Sequence, residues 1–368
     1  MTRVAIIGCG VVGAAIAYEL SLVPNLEITV IDCHQPAQGS TQAALGVLMG
    51  IISHKVKGRL WRLREQSILR YQTLIPELEA TAPISFNRQG ILMLCFPGED
   101  MAQWEKLAAT RRTQGWQLDL LEPQEVRQRY PQLGKVEIVG AVHSPQDGQV
   151  DPVVLTHALV RAAEGNGVRF RFGERVERIN YLETESLKQC DRLETTQGNL
   201  EVDWLVMAAG LGSTPLTAGL ESPVEIRPVL GQALQLRLQN PMGDGEIQPV
   251  ITGDDVHIVP CQDSDYPVRD YWVGATVEFT GEGDPMEGDP VLLKQVLQRA
   301  IGFCPDLALG EIVRTWSGLR PRPEGQPAPI IGPLAGFENV LLATGHYRNG
   351  VLLAPATALE IRRAIAGN

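Results

Sequence analysis

Little in this chain points to metal, disulfide or membrane chemistry. The six cysteines (Cys9, Cys33, Cys95, Cys190, Cys261 and Cys304) are scattered, with no CxxC spacing. That excludes a zinc-ribbon pattern and favours isolated reduced thiols in a cytoplasmic protein over a disulfide framework. The six histidines form no HExxH or other ligand-like pair, so no metal is expected. No apolar run reaches the roughly 18 residues that a membrane helix needs. Basic residues are the minority, 32 Lys and Arg against 43 Asp and Glu, and they form no run. The net charge of −11 therefore argues against a nucleic-acid partner. There is no internal repeat, low-complexity tract or linker.

What is present is an ordinary globular composition, 44% hydrophobic and 20% charged, over 368 residues. That length accommodates two domains at about 100–200 residues each. The most informative stretch lies near the start. Val4 to Ile7 is an apolar run, and Gly8, Gly10 and Gly13 follow it at GxGxxG spacing. A helical pattern comes next, then a second apolar run, LEITVID, ending in Asp32. This is the βαβ dinucleotide fingerprint. Gly8 allows the tight turn, Gly10 lets a pyrophosphate approach the backbone, and Gly13 lets the helix pack against the sheet. The helix start at Val11 and Val12 turns its positive dipole end to the phosphates. Asp32 is placed to accept hydrogen bonds from ribose hydroxyls, which favours FAD or NAD over NADP. Residues 4–18 could pass for a signal h-region, but the glycine pattern assigns them to the mature fold.

The rest of the chain weaves between helical and strand patterns. Helices are expected over 60–78, 99–112, 122–130, 289–303 and 351–366, and from the Asp151 N-cap to about 165. A hairpin is expected over 84–96 with its turn at 87–90, and short strands over 168–172, 176–182, 192–196 and 199–202. Residues 204–210 read as a buried strand ending in Ala209 and Gly210. Alternating runs over 232–238, 256–260 and 271–277 suggest an antiparallel sheet. There is no second GxGxxG, so a second nucleotide site is not suggested.

Three further segments carry specific wording. Gly39 to Val47 (GSTQAALGV) is a small-residue helix start, with Ser40, Thr41, Ala44, Gly46 and Val47 suited to close packing on a cofactor. Trp316 to Pro321 reads WSGLRP, and Gly345 to Ala356 reads GHYRNGVLLAPA. Together with the fingerprint, these segments resemble the D-amino-acid-oxidase-type FAD-dependent oxidoreductases, and their wording is closest to the glycine oxidases of thiamin synthesis. The likeness runs in order along essentially the whole chain.

The resemblance implies an α/β fold: a Rossmann-like FAD-binding domain (1–80, 150–220 and 318–368) and a substrate domain on an antiparallel sheet (81–149 and 221–317). It implies noncovalent FAD, because no cysteine falls in the C-terminal motifs. It implies that Arg320 holds a substrate carboxylate, which a guanidinium can grip through two parallel hydrogen bonds. Arg348 would lie near flavin and substrate. The backbone at Asn349, Gly350, Val351 and Leu352 would face the flavin pyrimidine, and Val176 the adenine. His346 is more often structural in such a segment. His257 stands where the resemblance implies a tyrosine. Its ordinary pKa of about 6.5 would give it a role on the acidic limb of activity, while an outward-facing histidine on a half-exposed strand is the plainer alternative.

The implied reaction is oxidation of glycine, sarcosine or a small D-amino acid by hydride transfer to flavin N5. O2 would become H2O2, and the imine or glyoxylate would serve thiazole synthesis. A homotetramer is implied by likeness alone. Two other readings stay open: an amine or D-amino-acid dehydrogenase using a quinone or carrier, and a non-catalytic dinucleotide-binding sensor.

Overall fold

In a computed structural model, the described residues are 1–367 except 184–186, 244, 262–267, 280 and 282–286. A six-stranded sheet runs, edge to edge, through Ile330–Pro333, Val340–Thr344, Trp204–Met207, Thr2–Ile7, Leu26–Asp32 and Arg169–Phe172. All neighbours are parallel except the first pair. Its inner strands are mainly apolar and buried because both faces are covered, whereas the edge strand Arg169–Phe172 alternates charged and aromatic residues. The Val11–Ser21 helix packs against the Pro152–Gly165 and Gly350–Ala366 helices. Small residues at the contacts (Ala14, Ala17, Ala354 and Ala358, all buried) allow close approach. Nearly every residue of Val11–Ser21 is buried, so it has no polar stripe to read in sequence. Asp151 caps Pro152–Gly165 as expected, accepting from the N–H groups of Val153 (2.8 Å) and Val154 (2.9 Å).

An eight-stranded sheet follows the order Glu311–Pro323, Ile226–Arg237, Asp270–Gly274, Val256–Pro260, Val250–Gly253, Ile91–Cys95, Gly140–Ser144 and Asp119–Leu121. It is antiparallel but for the Val250–Gly253 and Ile91–Cys95 pair. Behind it lies a core of Leu234, Ile258, Tyr271, Val273 and Phe303. A three-stranded sheet (Val176–Glu183, Lys188–Thr195, Gly198–Glu201) stands beside the parallel sheet. The mixed α/β class is therefore as expected.

Two local expectations are corrected, and one long strand is present that the sequence pattern did not announce. Residues 84–96 do not form a hairpin. Phe86–Asn87 pairs with Gly148–Val150, whereas Ile91–Cys95 joins the eight-stranded sheet. The Asn87 side chain diverts the chain, accepting from Gln89 N (2.9 Å) and donating to Gln248 O (2.9 Å). The segment from Gly39 starts only a four-residue helix, Ser40–Ala43, then becomes extended. The long strand Glu311–Pro323 was not legible, because its outer half is exposed at a sheet edge and lacks clean alternation.

Candidate active site

A cavity of about 1250 Å³ is lined by residues of both large sheets. At one end lie Gly8, Gly10, Val11, Val12 and Asp32, with Glu174 and Val176. Gly8 has φ +102°, and a Cβ there would sit 2.6 Å from Ala208 O. A Cβ on Gly13 would fall 1.9 Å from Gly8 O, so Gly13 sets helix-on-strand contact and does not line the cavity. The first helical turn carries no acidic residue. The Thr41 hydroxyl accepts from Val11 N at 3.1 Å. The rest of this helix end remains a donor-rich wall suited to a diphosphate. Asp32 ties the glycine loop to the turn after its strand, accepting from Cys9 N (2.6 Å) and His34 N (2.8 Å). A carboxylate has further lone pairs, so these bonds leave it acceptor capacity toward the cavity.

The Ser40–Ala43 turn is fastened to the Glu311–Pro323 strand. Ser40 Oγ donates to Leu319 O (2.6 Å), and Trp316 Nε1 donates to Ala43 O (3.1 Å). That register brings Arg320, on the same strand, to the opposite end of the cavity. Arg320 Nη1 donates to Leu230 O at 3.0 Å, and no carboxylate pairs with it in an ion pair among the described residues. Burial, then the like charge of Arg348, pull its pKa below the ordinary value, opposed by Tyr347 and Glu278. Arginine stays cationic at neutral pH even so. Glu278 is itself fixed by Thr276 Oγ1, by Gln232 Nε2 (2.8 Å) and by Asp289 N (2.9 Å). Burial pushes its carboxyl up, but these bonds and the Arg320 charge hold it below the ordinary range.

His257 faces this same end and is not an outward surface histidine. Its Nδ1 lies 2.9 Å from Thr252 Oγ1. Burial and the Arg348 charge lower its pKa to about 4, with Asp255 opposing and Arg320 adding to the effect. It is thus neutral across the range in which a free histidine titrates, which corrects the expected role near pH 6.5.

The C-terminal segment closes the wall. Tyr347 takes φ +54°, and its N–H donates to Pro321 O at 3.0 Å, holding the loop against the arginine strand. His346 is buried, with Nε2 2.9 Å from Thr357 Oγ1, and burial lowers its pKa to about 4. Arg348 is exposed toward the cavity, and Asn349, Gly350, Val351 and Leu352 line it at the start of the last helix. On the facing side, residues 50–52 are pinned by buried Asp147, which accepts from Gly50 N (2.7 Å), Ile51 N (2.8 Å) and Ile52 N (2.8 Å).

Every residue singled out in the sequence therefore lines one cavity, with Gly13 alone placed behind it. Sequence reasoning missed Met49, Arg64, Met93, Gln232 and Thr252, which also line it. None sits in a motif, and all arrive by tertiary packing. Among the described residues there is no cluster of His, Cys, Asp or Glu able to hold a metal, and no helix is long and apolar enough to cross a membrane.

A glycine-turned helix start, a carboxylate at the end of the next strand and a long cavity leading to paired arginines define a dinucleotide-dependent redox enzyme. The chain belongs to the FAD-dependent oxidoreductase family, which it matches over residues 3–364. Its cofactor is FAD, and the donor-rich helix end, Asp32 and the length of the cavity fit that group. It is 33% identical to the bifunctional protein ThiO/ThiG of Synechocystis sp. over 97% of this chain and 50% of that protein. The chain thus spans about half the length of that relative. It is 29% identical to a glycine oxidase of Bacillus licheniformis, covering 99% of this chain and 92% of that one. The crystal structure of glycine oxidase from Geobacillus kaustophilus superposes with a TM-score of 0.85 at 27% identity, covering 100% of this chain and 95% of that chain.

Proposed function

We propose that this protein oxidises glycine, with sarcosine and small D-amino acids as further substrates. The observation that carries the reading is the cationic end of the cavity. Arg320 and Arg348 meet there with no ion-pair partner among the described residues, beside neutral His257. A guanidinium pair in a confined site calls for an anion, and a carboxylate suits the planar fork. Arg320 takes the substrate carboxylate. Its bond to Leu230 O fixes one side of the guanidinium and leaves the other for the ligand. Neutral His257 offers a hydrogen-bonding edge without adding a third positive charge against the substrate amine. Bound FAD supplies the two-electron acceptor, and the protein supplies binding, orientation and electrostatics. The helix start at Asn349 to Leu352 presents its positive dipole end to the cavity, where it favours a negatively charged reduced cofactor.

The electron acceptor under this reading is O2, and the imine hydrolyses to glyoxylate or enters thiazole synthesis. The names of the ThiO/ThiG and glycine oxidase relatives support that assignment. The FAD is held noncovalently. Of the cysteines, only Cys33 lines the cavity among the described residues, and it adjoins Asp32 at the nucleotide end. The protein acts in the cytoplasm, as a homo-oligomer. The test is oxygen uptake with glycine, followed by peroxide assay. One H2O2 per glycine oxidised supports an oxidase. Glycine-dependent reduction of a quinone without peroxide would assign a dehydrogenase instead.

A further inference from the structure

Arg64 sits one turn into the Arg59–Glu79 helix and lines the cavity. Nη1 donates to Met49 O (2.6 Å) and Nη2 to Asn349 Oδ1 (3.2 Å). Its Nε is buried and has no partner. Among the described residues, no carboxylate hydrogen-bonds or ion-pairs with it. Burial lowers its pKa, and the one opposing charge within reach is Asp147. That carboxylate is already occupied by Gly50, Ile51 and Ile52 N–H and by the Ser144 hydroxyl.

The neighbouring arginines differ. Arg111 is saturated by the carbonyls of Ile51, Ser53 and Lys55, and Arg70 is paired with Glu19 and Glu77. Arg64 is thus a half-buried cation with an unused donor and, among the described residues, no contacting anion, an arrangement that a negative group in the cavity would relieve. The diphosphate end of the cavity lies at the Val11 helix. Arg64 instead adjoins Asn349, where the last helix begins.

We propose that Arg64 is the cation set against the pyrimidine edge of bound FAD, where it stabilises the negative charge that reduction places on N1–C2=O. The flavin's preference for the reduced state is then set jointly by the last helix's dipole and by a full charge from the Arg59–Glu79 helix. A brace between two neutral acceptors, Met49 O and Asn349 Oδ1, would not need that charge.

Sulfite tests this without any amino acid, so the outcome is independent of the glycine assignment. The sulfur lone pair of sulfite forms a bond to flavin N5, the ring accepts the electron pair, and the resulting charge settles on N1–C2=O. Purified holoprotein, Arg64→Met and Arg64→Lys are titrated with sulfite by loss of flavin absorbance, and their midpoint potentials are measured. Arg64→Met should weaken sulfite binding roughly tenfold or more and lower the potential by about 30 mV per tenfold for a two-electron couple. Arg64→Lys, which keeps the charge, should stay within about threefold of wild type on the same scale. An FAD-replete Arg64→Met with unchanged sulfite affinity and potential would overturn the proposal, as would a lysine variant that falls as far as methionine. If Arg64→Met does not retain FAD, Arg64→Gln takes its place, and the lysine criterion applies in either case.

Discussion

The guanidinium of Arg320 lies across the backbone of Gly231: a Cβ built on Gly231 would sit 2.1 Å from Nη1 and 2.4 Å from Cζ. Any side chain at residue 231 would displace the Arg320 guanidinium, the group proposed to meet a substrate carboxylate. Leu230 O, one residue away, accepts from Arg320 Nη1 and from Glu278 N (2.9 Å), so the same short stretch both makes room for the arginine and holds it.

Gly231→Ala should therefore mimic partial loss of Arg320. Arg320→Ala should cost on the order of 2–5 kcal/mol in kcat/KM for glycine, because a charge-assisted contact at a partly buried site is lost. Gly231→Ala should raise KM in the same direction by a smaller amount. In the Arg320→Ala background it should do almost nothing, since the clash has gone. A simple amine lacking a carboxylate should be little affected by either change. Steady-state kinetics on the four proteins gives the cycle, and additive losses would remove Gly231 from any role through Arg320.

His257 and His346 are held neutral down to about pH 4. The unfolded chain takes up their protons near their ordinary value of ~6.5. Between those limits the unfolded state binds more protons, so stability falls as pH drops from ~6.5 toward 4, with no contribution above that window. Melting temperatures across this range should fall less steeply in His257→Gln than in wild type. The kcat/KM profiles of the two should share their shape above pH ~5, with no inflection near 6.5 from this residue. An inflection there that the mutation abolishes would show that the pocket does not hold His257 neutral.

The flavin should leave the protein on acid precipitation, its colour passing to the supernatant. Cys9, Cys95, Cys190 and Cys304 are buried, and Cys33 lines the cavity beside Asp32, at the nucleotide end. Colour retained in the pellet would show a covalent bond that this placement does not provide.

Much of the site was legible because its chemistry sits in contiguous words. Gly8 to Asp32 encodes a turn, a helix end and an acid at a spacing that only a βαβ unit explains. The GLRP and HYRNG segments each carry an arginine beside a structure-breaking residue. What could not be read depends on contacts distant in sequence. Asn87 turns the chain by bonding to Gln248, 161 residues away, which defeats a local hairpin reading. Arg64 looks like any polar residue on an amphipathic helix until Met49 and Asn349 close over it. The character of His257 was also hidden: residue type suggested a titration near neutral pH, whereas burial and two arginines move it far below.

The most direct test is anaerobic mixing of the purified, FAD-bound protein with glycine, followed by flavin absorbance in a stopped-flow instrument. The account predicts full bleaching of the oxidised flavin, faster for glycine and sarcosine than for bulky D-amino acids, and abolished or greatly slowed in Arg320→Ala. Flavin that stays oxidised with every small amino acid would contradict the assignment, and a preference for D-phenylalanine over glycine would contradict the small-substrate reading of the site.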